Sequence, residues 1–187
     1  MLRIRPRHVL LVVLCSMLLG ILDLRAQDLN PRKAPSVTMV DPGITSVVRG
    51  KAGNIDLFFR VSSGFHVNSN KPHSEFLIPT TLRLTAPTDV VIGVVNYPVG
   101  VERSFPFAPQ DKMSVYGSQF AINFAVRPLA SVIPGKYAVH GVLKYQACDD
   151  ATCYPPKQIP VNFLVKVVKG TSESQGRNPA QSPHVHN

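Results

Sequence analysis

Between residues 54 and 168 the apolar side chains of this chain recur at every second position, in short runs that breakers interrupt. Asn54–Val61 sets the pattern, with Ile55, Leu57, Phe59 and Val61 alternating against mostly polar neighbours. Thr80–Leu84, Val90–Val95, Gln119–Val126, Tyr137–Tyr145 and Ile159–Val168 are likewise rich in Val, Ile, Phe, Thr and Tyr. Each predicts a strand. Gly50–Gly53, Ser62–Gly64, Pro72, Pro87, Pro98–Gly100, Pro106–Pro109, Pro128 and Pro134-Gly135 supply the breaks, at the spacing of a sandwich. No helical periodicity of ten or more residues follows the N-terminal leader, and no internal repeat is visible. The expected architecture is all-β, with two antiparallel sheets packed face to face.

The ends of the chain follow other rules. Arg3, Arg5 and Arg7 precede a nearly continuous apolar run from Val9 to Leu22, and Leu24-Arg25-Ala26 offers a cleavage site before Gln27. That run is about 14 residues, short of the ~20 needed to span a bilayer. A lipoprotein signal at Cys15 fits less well, because the apolar run continues past it and Leu14, just before it, is not small. The expected organisation is a signal peptide over 1–26, a polar lead-in over 27–35, one β-domain over 36–168 and a polar tail over 169–187. Lead-in and tail carry too little apolar surface to order themselves. His184 and His186 form an HxH pair in that tail, but two ligands on such a segment make a poor metal site.

Charge narrows the partners. The whole chain holds 20 basic and 11 acidic residues, and loss of Arg3, Arg5, Arg7, Arg25 and Asp23 with the leader reduces the excess from +9 to +6. The cations are scattered, with no basic stripe interleaved with aromatics, so nucleic acid is not an expected partner. Beyond the leader no stretch is apolar enough to insert stably in a membrane, and a periplasmic or secreted domain is expected, monomeric, in a compartment where disulfides persist.

Candidate chemistry concentrates in one place. Cys148 and Cys153 stand in the run YQACDDATCYPP, at the neck of a turn between the strands Tyr137–Tyr145 and Ile159–Val168. Asp149-Asp150-Ala151-Thr152 is turn chemistry, and a hairpin neck can bring two Cα atoms to the ~5.5 Å that a disulfide prefers. Pro155 and Pro156 remove two backbone donors beside Cys153 and predict an irregular, partly open edge. Two uses of such a bridge stay open. It can be a structural staple, the commonest fate of two cysteines in an exported domain. Yet closing so small a loop restrains the unfolded chain by only roughly 2 kcal/mol, against nearly 5 for a loop of about 100 residues. A bond that is opened and closed is the second use. The carboxylates of Asp149 and Asp150 between the sulfurs disfavour a thiolate, which makes each free thiol a slow nucleophile until a partner changes its surroundings.

This run, in its place near the end of a Pro-rich exported β-domain, resembles the active-site region of the N-terminal periplasmic domain of the thiol:disulfide interchange reductase DsbD. The resemblance extends over roughly Val37 to Val168. Two weaker matches accompany it: Gly64-Phe65-His66-Val67-Asn68, similar to the family's aromatic segment after an early strand, and Val115-Tyr116-Gly117, similar to the FYG of its cap loop. The resemblance implies an immunoglobulin-like sandwich that relays reducing equivalents between thioredoxin-fold partners, with a redox-active disulfide and no other cofactor. It further implies that Cys153 forms the mixed disulfide and Cys148 resolves it. Tyr116 would be the cap-loop tyrosine, Val115 the cap residue and Phe65 a nearby aromatic, with Asp149, Asp150 and Tyr154 around them. Two departures stand out: four residues separate the cysteines where the family has five, and valine replaces the cap phenylalanine. The full reductase also continues into a membrane-spanning electron carrier, so this chain is expected to draw electrons from a separate membrane carrier or thioredoxin-like protein.

Other chemistries are less well served. Asp149, Asp150 and Glu102 form no recognisable glycosidase pair. A hydrolase dyad of Cys153 with His66 or His140, or a zinc site of both cysteines and a histidine, competes with oxidation of the cysteine pair. A non-catalytic sandwich that binds a partner, its disulfide structural, is the alternative from a different class.

Overall fold

A computed structural model describes residues 34–170 of the chain. The expected signal peptide, most of the expected lead-in, Cys15, the tail beyond 170 and its His184–His186 pair lie outside the described residues. Twelve strands follow one another: β1 Val37–Met39, β2 Ile44–Val48, β3 Gly53–Val61, β4 His66–Asn68, β5 Thr81–Thr85, β6 Val90–Asn96, β7 Val101–Phe105, β8 Ala108–Tyr116, β9 Gln119–Pro128, β10 Gly135–Tyr145, β11 Ala147–Cys148 and β12 Lys157–Val168. Among the described residues no helix is long and apolar enough to cross a membrane.

The six runs with the clearest alternation are strands. In β3 every second residue is buried, from Ile55 to Val61, and β9 keeps the same rhythm from Phe120 to Pro128. The sheets number three rather than two, in the orders β1-β3-β9-β6, β2-β12-β10-β5 and β11-β4-β8-β7. The first two face each other across one hydrophobic core, to which Ile55, Leu57, Phe59, Ile122 and Phe124 come from one side and Val139, Leu143, Val161 and Val165 from the other. Phe124 meets Phe163 across the interface with ring centroids 5.9 Å apart. The Tyr145 hydroxyl accepts a hydrogen bond from the Val37 amide at 3.2 Å, so the end of β10 is pinned to β1 of the opposite sheet.

Two expectations need correction. The pairing is not antiparallel throughout, because β2 runs parallel to β12 from Ile44↔Leu164 to Val48↔Val168. Ile44–Val48 follows the first described strand after a short turn, so it reaches the edge beside β12 by crossing from one sheet to the other. The proline-rich stretch around Pro106–Pro109 is not wholly a break either: only the turn at Pro106 and Phe107 separates β7 from β8, and Pro109 lies inside β8. A proline is tolerated there because β8 pairs loosely with the edge strand β7, whose register shifts between Arg103 and Phe105.

The longest ladder positions the cysteines. β10 and β12 pair over eleven residues, from Gly135↔Val167 to Tyr145↔Lys157, and the chain between them leaves the ladder at Gln146 to form β11 and the turn. β11 then pairs with β4, bringing Cys148 opposite His66. Gly64, at φ +85°, makes the tight turn that delivers Phe65 and β4 to this position, with the Phe65 amide bonded to the Ser62 carbonyl at 3.2 Å. A side chain there would be strained, since L residues rarely adopt that backbone region.

Candidate functional site

Cys148 and Cys153 are joined by a disulfide, with Cα atoms 4.0 Å apart. The separation is shorter than the ~5.5 Å anticipated, and the ladder explains it. The Asp149 amide donates to Thr152 O at 2.9 Å and the Tyr154 amide to Ala147 O at 2.9 Å. The cysteines therefore face each other as a non-hydrogen-bonded antiparallel pair, the closer of the two pair types.

Asp149 builds the turn. Its Oδ1 accepts from the amides of Ala151 and Thr152, each at 2.8 Å, and its Oδ2 accepts from the Tyr154 hydroxyl at 2.6 Å. Asp150 is exposed at the tip. Tyr154 in turn packs edge-on against Phe65, with centroids 5.7 Å apart, so Phe65, Asp149 and Tyr154 form one flank of the disulfide hairpin.

The two faces of the third sheet have different neighbours. Directly opposed residues of an antiparallel pair share a face and successive residues alternate. Val67, Ala147 and Tyr116 point into the main core. His66, Cys148 and Val115 belong to the opposite face by that alternation. There Phe105, Met113 and Val115 make a small second cluster, against which Leu77 and Cys153 pack. The His66 ring stacks on Phe105 at a centroid distance of 4.0 Å.

Val115 and Tyr116 accordingly separate. Val115 is a buried strand residue of the cluster that touches Cys153, not a residue of a loop lying over it. Tyr116 stacks on Phe120 at 4.8 Å, and its hydroxyl contacts Asn70 Oδ1 at 2.8 Å and Pro98 O at 3.0 Å. It anchors β8 to the core from the face away from the disulfide. The aromatic cover on the cysteine side is Phe105, which sequence reading passed over as the edge of a proline break.

Gln146 and Asn68 were passed over as well. Gln146 Oε1 accepts from Asn68 Nδ2 and from the Ile78 amide, both at 3.0 Å, while its Nε2 donates to Tyr154 O at 3.3 Å. This amide ties the hairpin to β4 and to the loop before β5. Its signal was faint but present: a polar residue interrupting the strand period immediately before Ala147-Cys148.

The sulfurs differ in access. Cys148 is 0% exposed, whereas Cys153 is only half-buried. A hollow of about 400 Å³ lined by His73, Leu77, Phe107 and Met113 borders the small cluster. Among the described residues no group of three or more His, Cys, Asp or Glu side chains is placed to hold a metal ion.

His66 is the perturbed titratable group of the site. Burial lowers its pKa to about 4, partly opposed by the negative charges of Asp150 and Asp149 and reinforced by Arg103. A histidine kept neutral in the fold and free to protonate when unfolded stabilises the fold least at low pH. Its contribution is complete above pH 6.5 and is lost as pH falls from there toward about 4. The loss should reach roughly 2 kcal/mol, with screening by the open turn allowed for. In denaturant melts over this range the parent should lose stability relative to His66→Gln as pH falls; parallel curves would contradict it.

Fold and site define a class: an all-β sandwich of immunoglobulin type with a disulfide across the neck of a hairpin. The family model described as "Thiol:disulfide interchange protein DsbD, N-terminal" matches residues 36–164, and the chain belongs to that family. Among solved structures, the Neisseria meningitidis DsbD N-terminal domain in its reduced form is 21% identical, with 69% of this chain and 82% of that chain covered and a TM-score of 0.37. The complex of the DsbD and PilB N-terminal domains of the same organism gives 21% identity, 73% and 87% coverage, and a TM-score of 0.40. The N-terminal periplasmic domain of ScsB from Proteus mirabilis gives 14%, 70%, 46% and 0.43. No curated protein sequence matches the chain.

Proposed function

We propose that the chain relays reducing equivalents between thioredoxin-fold partners in the periplasm or outside the cell, with Cys153 as the sulfur that partners reach and Cys148 as the one that resolves. The observation that carries the assignment of roles is the asymmetry of the disulfide, one cysteine wholly buried and the other only half-buried. Thiol–disulfide exchange requires nearly linear approach to one sulfur, and access selects which is attacked. A donor thiolate attacks Cys153 Sγ, the Cys148–Cys153 bond breaks, and Cys148 leaves as a thiolate that takes up a proton. A second donor thiol then releases the donor as a disulfide and leaves the domain dithiol. Delivery to an acceptor disulfide runs the same steps in reverse.

Exposed Phe107, which lines the hollow and stacks on Phe105 of the cluster that packs on Cys153, gives a docking partner apolar contact on that side. A membrane electron carrier presenting a thioredoxin-like or equivalent thiol serves as the reductant in the same scheme. To test the reading, the oxidised chain is mixed with a reduced thioredoxin-fold protein, quenched with an alkylating agent and weighed. Two labels acquired rapidly and reversibly on the folded domain are the expected result. A bond that stays closed until the domain unfolds would make it a staple in a binding protein.

A further inference from the structure

One buried group beside the disulfide has no partner. The Nε2 atom of His66, a residue 5% exposed, makes no hydrogen bond, although the ring stacks on Phe105. Buried polar atoms of native proteins are nearly always paired, so such an exception calls for a function or a second state. The register supplies one. His66 stands directly across from Cys148, and directly opposed side chains of an antiparallel pair have Cβ atoms roughly 4.5–5.5 Å apart. In the oxidised domain Cys148 has no proton to offer. On reduction it acquires an S–H in a buried setting, with His66 as its cross-strand neighbour.

We propose that His66 is the resident acceptor for the Cys148 thiol proton, taking it at Nε2 as Cys148 attacks Cys153 to resolve a mixed disulfide. The proposal rests on the exchange reading above and adds a residue to it. With the neutral ring carrying its own proton on Nδ1, Nε2 receives the Cys148 proton and the resulting thiolate forms a bond to Cys153 Sγ. The bond between Cys153 and the partner sulfur breaks, the partner leaves as a thiolate that is protonated by solvent, and the imidazolium returns its proton to solvent. Two electrons pass from the domain dithiol to the partner, and the ring ends as it began.

The charges facing the ring suit this cycle. Asp149 and Asp150 in the turn favour the imidazolium as it forms, while burial and Arg103 on β7 oppose it and keep the resting ring neutral. Glu102 on β7 is engaged elsewhere, 2.8 Å from His73 Nε2 on exposed side chains. A solvent-accessible base would do the same work less selectively. Cys148 is 0% exposed, which favours an acceptor inside the fold.

The test uses the reduced full chain and glutathione disulfide, following resolution of the Cys153–glutathione mixed disulfide as a function of pH in the parent, His66→Gln and His66→Phe. The parent should resolve nearly independently of pH through the neutral range. Both variants should be slower by roughly a hundredfold near neutrality and should accelerate in proportion to hydroxide. Glutamine retains a hydrogen-bonding side chain but takes no proton, so a His66→Gln protein with the parent's rate and pH profile would overturn the proposal. Should either variant fail to fold, the parent alone decides. The His66 ring-nitrogen NMR shifts should move when the folded domain is reduced with dithiothreitol, and shifts that stay fixed would also overturn it. A parent that never exchanges with glutathione would instead remove the exchange reading itself, and the ring-nitrogen shifts would still report the thiol contact.

Discussion

Replacing Cys148 by serine is expected to produce a domain that captures a partner and cannot release it. The remaining Cys153 thiol is the half-buried one and attacks a partner disulfide, but no second thiol is left to displace the partner sulfur. A mixed disulfide should therefore accumulate and survive on a non-reducing gel. Cys153→Ser should behave differently, because its surviving thiol is wholly buried. It should form almost no mixed disulfide, and both variants should lose turnover down to the uncatalysed background. Stability should change little by comparison: the bridge closes a loop of sequence separation 5, which restrains the unfolded chain by roughly 2 kcal/mol. Equal trapping by the two variants would remove the assignment of roles. Loss of the fold in both would turn the disulfide into a staple.

The second large effect lies in the sandwich. Phe124→Ala should destabilise the domain by about 3–5 kcal/mol, since the ring is 0% exposed and spans the two main sheets to reach Phe163. Its strand neighbours are fixed by β3 on one side and β6 on the other, Ile55 and Val95 standing opposite, so the surrounding backbone cannot collapse into the space. Most of a small domain's stability would be consumed. Urea unfolding should show a large fall in midpoint with an unchanged slope, and a loss under about 1 kcal/mol would mean that the core relaxes more than its ladders suggest. Exchange by the fraction that remains folded should persist, because Phe124 lies in the core cluster and not in the one that packs on Cys153.

The sequence disclosed those parts of the fold where one face of a strand is buried along its whole length. β3, β9 and β12 alternate because the sandwich buries every second residue, and the period survives in the letters. β7 and the first half of β8 carry no such period, for both are exposed on both faces: Val101–Ser104 and Pro109–Lys112 all lie at the surface. A hairpin with solvent on both sides looks like a loop, and its prolines strengthen that impression. The three-residue strands β1 and β4 are too short for any period to register.

At the site, the cysteine spacing and the Asp149 turn were legible because both are local. What the local pattern could not give was the register, although the resemblance already places Phe65 near the site. That His66 faces Cys148 follows from pairing between segments 82 residues apart in sequence, and nothing in either segment announces it. The division of Val115 from Tyr116 was within reach, since adjacent residues of a strand point to opposite faces, but only once that segment is known to be a strand. Phe105 joins the site through the same unrecognised hairpin.

The position of the cysteines in one hairpin also bears on how the bond is first made. The sandwich depends on distant pairings, such as β1 with β3, β9 with β6 and β2 with β12, which close slowly because long loops must be ordered before they are rewarded. Cys148 and Cys153 need none of these. Their contact is complete once a turn of four residues has formed, an event on the microsecond scale of hairpins. Oxidation is thus separable in time from assembly of the sheets: an emerging chain can carry its bond before it has a core, and a finished domain can lose and regain it without revisiting the folding that preceded it.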